Sequence, residues 1–239
     1  MTSKDFTDPV GAFVDVYGRA TDDLLGAKVL SAPGVFEGER QFIQFADRDY
    51  DVDRHWAFQI KREQCALIVI DIQEKLLPPI FEKERLLRNS QLLIRLAGIL
   101  KMPTLLSTQY SKGLGNTVPE VACLLPDNSP IEKQMFSFFG SDVFCSALKR
   151  LPGNRNTMVL CGMESHICVA QTALAALREG YLVHVASDAV SSRTEWNWKV
   201  GLDRMRAAGA VISSAEMVIY EALRSSGTSA FKDMLQYLK

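Results

Sequence analysis

Three residues of this chain have the types and spacing to do chemistry together. Asp71 stands in Ile70-Asp71-Ile72-Gln73 and Lys133 in Glu132-Lys133-Gln134. Cys168 closes the run Cys161-Gly162-Met163-Glu164-Ser165-His166-Ile167-Cys168. The separations are 62 and 35 residues (133 − 71 and 168 − 133), usual for a site assembled by folding. A carboxylate beside a thiol can take its proton and later return it to a leaving group. An ammonium close to both favours their charged forms. Cys168 follows an apolar stretch and a glycine turn and leads into a helical pattern. That places it at a helix N-terminus, where unpaired N–H groups and the dipole favour a thiolate and can hold an oxyanion. The implied reaction is attack on a carbonyl, an acyl-thioester, then attack by water.

Each residue also has an ordinary reading. An Asp after a strand caps a turn, a Lys at a strand end is a solvated charge, and a Cys at a strand–helix junction is a small packed group. The case for a site lies in where the elements put all three. Cys65 to Ile70 is a short, wholly apolar run, the pattern of a strand buried on both faces. Further strands are expected at Thr104–Ser107, Ile131–Met135, Thr157–Cys161, Leu182–Ala186 and Ala210–Ser213. Helical spacing marks 83–101, 141–149, 167–179 and 195–208, and another helix starts at Ser214. Gly180 suits the position just past a helix end. The alternation predicts an α/β fold: a three-layer α/β/α sandwich on a six-stranded, mainly parallel, Rossmann-like sheet. Ligands of such sheets bind outside the carboxyl ends of the strands, where Asp71, Lys133 and Cys168 all fall.

Residues 1–62 differ in character. They combine Pro9 and Pro33, a charged patch from Asp47 to Arg54, weak helical stretches at about 9–27 and one aromatic strand-like stretch, Gln41–Phe45. This reads as an arm that packs on the core or on a neighbouring subunit, with the domain proper at 63–239. With 27 Lys+Arg against 28 Asp+Glu, the chain lacks the basic footprint of a nucleic-acid or anionic-membrane binder. No apolar run approaches the roughly 20 residues of a membrane span. The N-terminus lacks a signal-peptide core, so a cytoplasmic protein is the expectation. The five cysteines form no CxxC pair and the three histidines no HxH or HExxH spacing, so no metal site, disulfide framework or cofactor is expected.

At the same residues the chain resembles the isochorismatase-like superfamily of cysteine hydrolases. The matching pieces are Val69–Gln73, Glu132–Phe139, Cys161–Val169 with Thr172, then Gly180-Tyr181 and Asp188-Ala189, spanning about 63–225. Ser107–Gly115 with Ser191–Arg193 further resembles the isochorismatase-domain-containing subgroup, whose substrates are largely unassigned. The resemblance implies a triad of Asp71 as base and acid, Lys133 as charge holder and Cys168 as nucleophile. It also implies a cis peptide between Met163 and Glu164, an oxyanion hole from the backbone N–H groups of Glu164 and Cys168, and a dimer or larger homo-oligomer. Nicotinamidases of the superfamily hold a metal with an Asp and two His; residues 74–115 here contain no histidine. True isochorismatases lack the nucleophilic cysteine. Cys168 therefore points to a small-molecule substrate cleaved at an amide or related acyl C–N bond without metal. Gln73, Tyr110 and Phe136 flank the triad as pocket candidates, and His166 is read as a packing or capping residue. Two other classes stay open: a catalytically idle binding or scaffold protein, and a thiol redox sensor needing a resolving cysteine, for which Cys161 is the near candidate.

Overall fold

The structure, a computed structural model, describes residues 59–126 and 129–238 and, by backbone alone, the strands β1 (Lys28–Val29), β2 (Phe42–Phe45) and β3 (Arg48–Asp51). Contacts divide the chain into units Met1–Gln59 and Ile60–Lys239. In the first, β1, β2 and β3 form an antiparallel sheet in that order, Ile43 opposite Tyr50. The expected strand-like stretch at Gln41–Phe45 is β2; the helical stretches at 9–27 and His55 lie outside the described residues.

The second unit is built on six strands: β4 (Cys65–Ile70), β5 (Thr104–Gln109), β6 (Ile131–Lys133), β7 (Thr157–Met163), β8 (Leu182–Ser191) and β9 (Val211–Ser213). Their order is β6-β5-β4-β7-β8-β9, with every neighbouring pair parallel. The apolar run of β4 follows from what lies on each face. Cys65, Leu67 and Val69 enter one core while Ala66, Ile68 and Ile70 enter the other, so both sets are withdrawn from water. Over the first face lie α1 (Lys83–Leu100), α7 (Ala215–Leu223) and α8 (Ser229–Leu238), contributing Leu86, Leu93, Val218, Ile219 and Met234; the single turns α2 (Ser111–Leu114) and α3 (Pro119–Ala122) follow β5. The second face carries α4 (Asp142–Lys149), α5 (Ala170–Arg178) and α6 (Glu195–Ala207), with Phe144, Ala173, Leu202 and Met205. The expected three-layer α/β/α architecture is present, with an entirely parallel main sheet.

Local chemistry fixes the helix ends. Ser141, Thr194 and Ser214 each accept a hydrogen bond from the backbone N–H three residues on, capping α4, α6 and α7. Two strands run further than their sequence suggests. β7 continues through Gly162 to Met163, and β8 continues through the polar stretch Ser187-Asp188 to Ser191 after a register break opposite Leu160–Gly162. Gly162 is required where it stands: its φ is 117°, and a Cβ there would lie 2.0 Å from the Ile70 carbonyl oxygen of β4. β6 ends early, at Lys133. The chain runs outward from β4 to β6, returns to β7 and runs outward again to β9. The sheet therefore reverses between β4 and β7, the crevice where doubly wound folds bind ligands. Among the described residues, no helix is long and apolar enough to cross a membrane.

Candidate active site

Asp71 is the residue after β4 and takes a left-handed φ of 51°, which turns the chain off the sheet at the reversal point. Its carboxylate is wholly buried. The Ser107 hydroxyl donates to Oδ1 at 2.7 Å, and the Lys133 ammonium donates to Oδ2 at 2.6 Å. Lys133, the last residue of β6, is equally buried at its head. A bare charge in such a place is costly, whereas a paired and fully hydrogen-bonded one is tolerated. Lys133 also donates to the Gln109 Oε1 at 2.6 Å. Cys168 completes the group: the Asp71 carboxylate and the Lys133 ammonium both act electrostatically on its buried thiol, the first raising and the second lowering its pKa.

Cys168 lies in a π-helical turn, Ser165–Val169, that joins β7 to α5. The Val169 N–H reaches back five residues to the Glu164 carbonyl, and the Ala170 N–H to that of Ser165. Such wide turns recur at functional sites. The Met163–Glu164 peptide just before it is cis. Behind the turn stands α6, whose Gly201 would, with a Cβ, meet the Ser165 and His166 backbone at 2.9 Å. The expectation of a resting thiolate is corrected. Burial, reinforced by the Asp71 charge and opposed by Lys133, pushes the Cys168 thiol up to about 12. Desolvation outweighs the helix terminus, so the thiol is protonated at rest.

The flanking candidates separate. Tyr110 follows β5 directly and Phe136 lies three residues past β6; they are 47% and 54% exposed, with Met135 beside them at 59%. They form an apolar rim at the carboxyl edge. Gln73 is corrected: it is fully buried, and its side chain is spent on the protein. Its Oε1 accepts from the Gln109 N–H at 2.7 Å, and its Nε2 donates to the Gln109 and Gly115 carbonyls at 3.0 and 2.7 Å. It clasps the end of β5. Ser107 and Gln109 had no separate signal beyond lying at the end of a strand. On the other flank, the Glu164 carboxylate accepts from the Arg193 backbone N–H and Nε at 3.1 and 3.0 Å. The His166 Nδ1 and the Ser192 hydroxyl are 2.9 Å apart, and the Ser192 and Ser165 hydroxyls 2.6 Å. Burial lowers the His166 pKa, with Glu164 opposing and Arg193 assisting, so a neutral ring shares a hydrogen bond with Ser192 and braces the turn. Cys161 belongs to the core on one face of the sheet and Cys168 to that on the other, so the pair is not arranged as partners for a disulfide.

A parallel sheet of this order, with a buried polar cluster at its reversal point, defines a doubly wound α/β protein of the isochorismatase-like hydrolase fold. The chain belongs to the isochorismatase family: residues 65–217 match the isochorismatase domain. It is 36% identical over 176 residues to the secreted isochorismatase effector Isc1 of Phytophthora sojae, covering 72% of this chain and 83% of that one. Its structure is similar to that of the MAR1 ribonuclease of Caenorhabditis elegans, with TM-score 0.70 and 33% identity over 75% of this chain and 92% of that one. It is also similar to the YcaC gene product of Escherichia coli, described as an octameric hydrolase of unknown specificity. There the TM-score is 0.68, with 26% identity over 75% and 93% of the two chains.

Proposed function

We propose that the protein is a cysteine hydrolase that cleaves a small amide or related acyl C–N substrate through a thioester. The observation that carries this is one buried carboxylate–ammonium pair acting on a buried thiol at the sheet's reversal point. Asp71 takes the thiol proton as Sγ bonds to the substrate carbonyl carbon, and the backbone N–H groups of Glu164 and Cys168 receive the oxyanion. The C–N bond then breaks, and Asp71 delivers the proton to the departing nitrogen. Water attacks the thioester and gives a proton to Asp71; the C–S bond breaks, and the proton returns to sulfur. Lys133 supplies the positive charge throughout, so the scheme needs no metal. Tyr110 and Phe136 offer apolar surface to the acyl group, and Gln73 supports the frame. A cytoplasmic location and a homo-oligomer remain part of this reading, and the octameric relative supports the assembly alone.

The test is turnover of a panel of small amides, with the intact mass of the enzyme recorded during turnover. The expected result is an acyl adduct on wild type and no turnover by a folded Cys168→Ala. RNA joins the panel because one relative is called a ribonuclease. RNA cleavage that survives Cys168→Ala overturns the reading. So does a persistent intramolecular disulfide after mild peroxide, which favours a redox sensor. Absence of any adduct across the panel favours an idle scaffold.

A further inference from the structure

An ammonium group has three N–H donors and no acceptor. Two of those of Lys133 are assigned, to Asp71 Oδ2 and Gln109 Oε1, and its charge acts on the Cys168 thiol. Asp71 and Cys168 have roles in the proposed chemistry; Gln109 has none. Its placement is nonetheless closely controlled. Its Nε2 donates to the Gln134 carbonyl at 2.7 Å, which leaves Oε1 as the end facing Lys133. Its backbone N–H and carbonyl are both held by the Gln73 side chain. Gln109 is 8% exposed and Gln73 wholly buried. Two glutamines are therefore committed to aiming one neutral oxygen at one ammonium.

We infer that Gln109 is a positioning residue that fixes the Lys133 ammonium while its charge partner changes from the Asp71 carboxylate to the Cys168 sulfur. The inference rests on the nucleophile reading above. When Asp71 accepts the thiol proton it becomes neutral and holds Lys133 less strongly, while the new thiolate attracts it. An ammonium anchored by those two groups alone would shift with the proton. A neutral amide oxygen binds it equally in both states, keeping the ammonium in place without competing for charge. A second carboxylate at this position would retain Lys133 and disfavour the thiolate.

The experiment reads the rate of Cys168 alkylation by iodoacetamide at pH 7.5, by peptide mass spectrometry, on the full chain. Thermal melts establish that each variant is folded. Gln109→Met, which keeps length and removes the acceptor, is expected to slow alkylation about tenfold in the wild-type background. In a Lys133→Met background the same change is expected to alter the rate less than about twofold, because the group it acts through is gone. Gln109→Glu preserves shape and is expected to slow alkylation at least as much as Gln109→Met. A wild-type rate in either single variant, or equal slowing in both backgrounds, overturns the inference. If Lys133→Met does not fold, Gln109→Met decides alone, since methionine fills the same space and a merely space-filling role predicts the wild-type rate. Failure of the underlying reading looks different: wild-type Cys168 then reacts no faster than the buried Cys161, whatever stands at 109.

Discussion

Replacing one glycine with alanine tests the frame that presents Cys168. Gly201 lies inside α6 against the π-helical turn. A Cβ there would stand 2.9 Å from His166 N, Ser165 C and Ser165 O. Favourable contacts of this kind begin at about 3.5 Å, so the helix and turn must part by about 0.5 Å or more. The three atoms are backbone and cannot swing aside. Overpacking of this kind costs about 1–3 kcal/mol. Against it, alanine gains about 1 kcal/mol over glycine in a helix interior. The net expectation for Gly201→Ala is a loss of about 0–2 kcal/mol. Gly98 in α1 provides the matched control, because nothing lies within 4 Å of its added Cβ. Gly98→Ala should keep the propensity gain, so the two variants should differ by about 1–3 kcal/mol. At about 2–4 °C per kcal/mol for a chain of this size, the melting points should separate by several degrees. Cys168 alkylation should fall about tenfold or more in Gly201→Ala, since displacing a reacting group by a fraction of an ångström is costly. It should be unchanged in Gly98→Ala. A Gly201→Ala protein that melts at or above the Gly98→Ala protein, with wild-type alkylation, would refute the reasoning.

Further outcomes follow from the same geometry. Burial and the Asp71 charge hold the Cys168 thiol up at about 12, so its thiolate fraction is small at neutral pH and grows about tenfold per pH unit. Cys168 alkylation should therefore rise about a hundredfold between pH 6 and 8 and keep rising beyond, whereas a free thiol of pKa about 8.5 levels off above that value; a plateau below pH 9 contradicts this. In Asp71→Asn the opposing charge is gone and the rate at each pH should rise; an unchanged rate contradicts the electrostatic assignment. Burial raises Cys161 from 9.0 to about 12, so the folded state keeps a proton that the unfolded chain releases. That contribution is intact below pH 9 and is lost as pH climbs toward 12, amounting to about 2 kcal/mol at pH 10.5. Melting curves from pH 8 to 10.5 should fall less steeply for Cys161→Ala than for wild type, and parallel curves would contradict this. The buried Thr172 hydroxyl accepts the Phe138 N–H at 2.9 Å. Thr172→Val leaves that donor unpaired and should cost about 1–3 kcal/mol in urea denaturation; no loss would mean the donor finds another partner.

The strands were legible because burial on both faces writes itself as short apolar runs, and Asp71, Lys133 and Cys168 could be placed from strand ends alone. Other features depended on partners distant in sequence. Ser187–Ser191 reads as a loop but extends β8, because Ala189 and Val190 are buried and the Asp188 carboxylate accepts the Ala215 N–H at the head of α7. The direction of the Gln73 amide is set by Gln109, 36 residues away, and pairwise spacing does not contain it. The thiolate expectation weighed a local effect, the helix terminus, and lacked the desolvation that only the packed fold supplies. The last helix, α8, had a readable stripe of Phe231, Met234, Leu235 and Leu238, and was missed by stopping the pattern at α7.

The seam where Gly162 meets Ile70 divides the site by origin. Asp71, Ser107, Gln109 and Lys133 come from β4, β5 and β6; Cys168, its turn and its bracing come from β7, β8 and α6. Tyr110, Met135 and Phe136 hang from the first half alone, on its solvent side. Their exchange leaves the thiol and its bracing untouched. Under the proposed function, a lineage carrying this frame can retune what it admits through three surface positions while the reactive centre is inherited intact. A library randomised at those positions alone would then explore new specificities with the core of the fold unburdened.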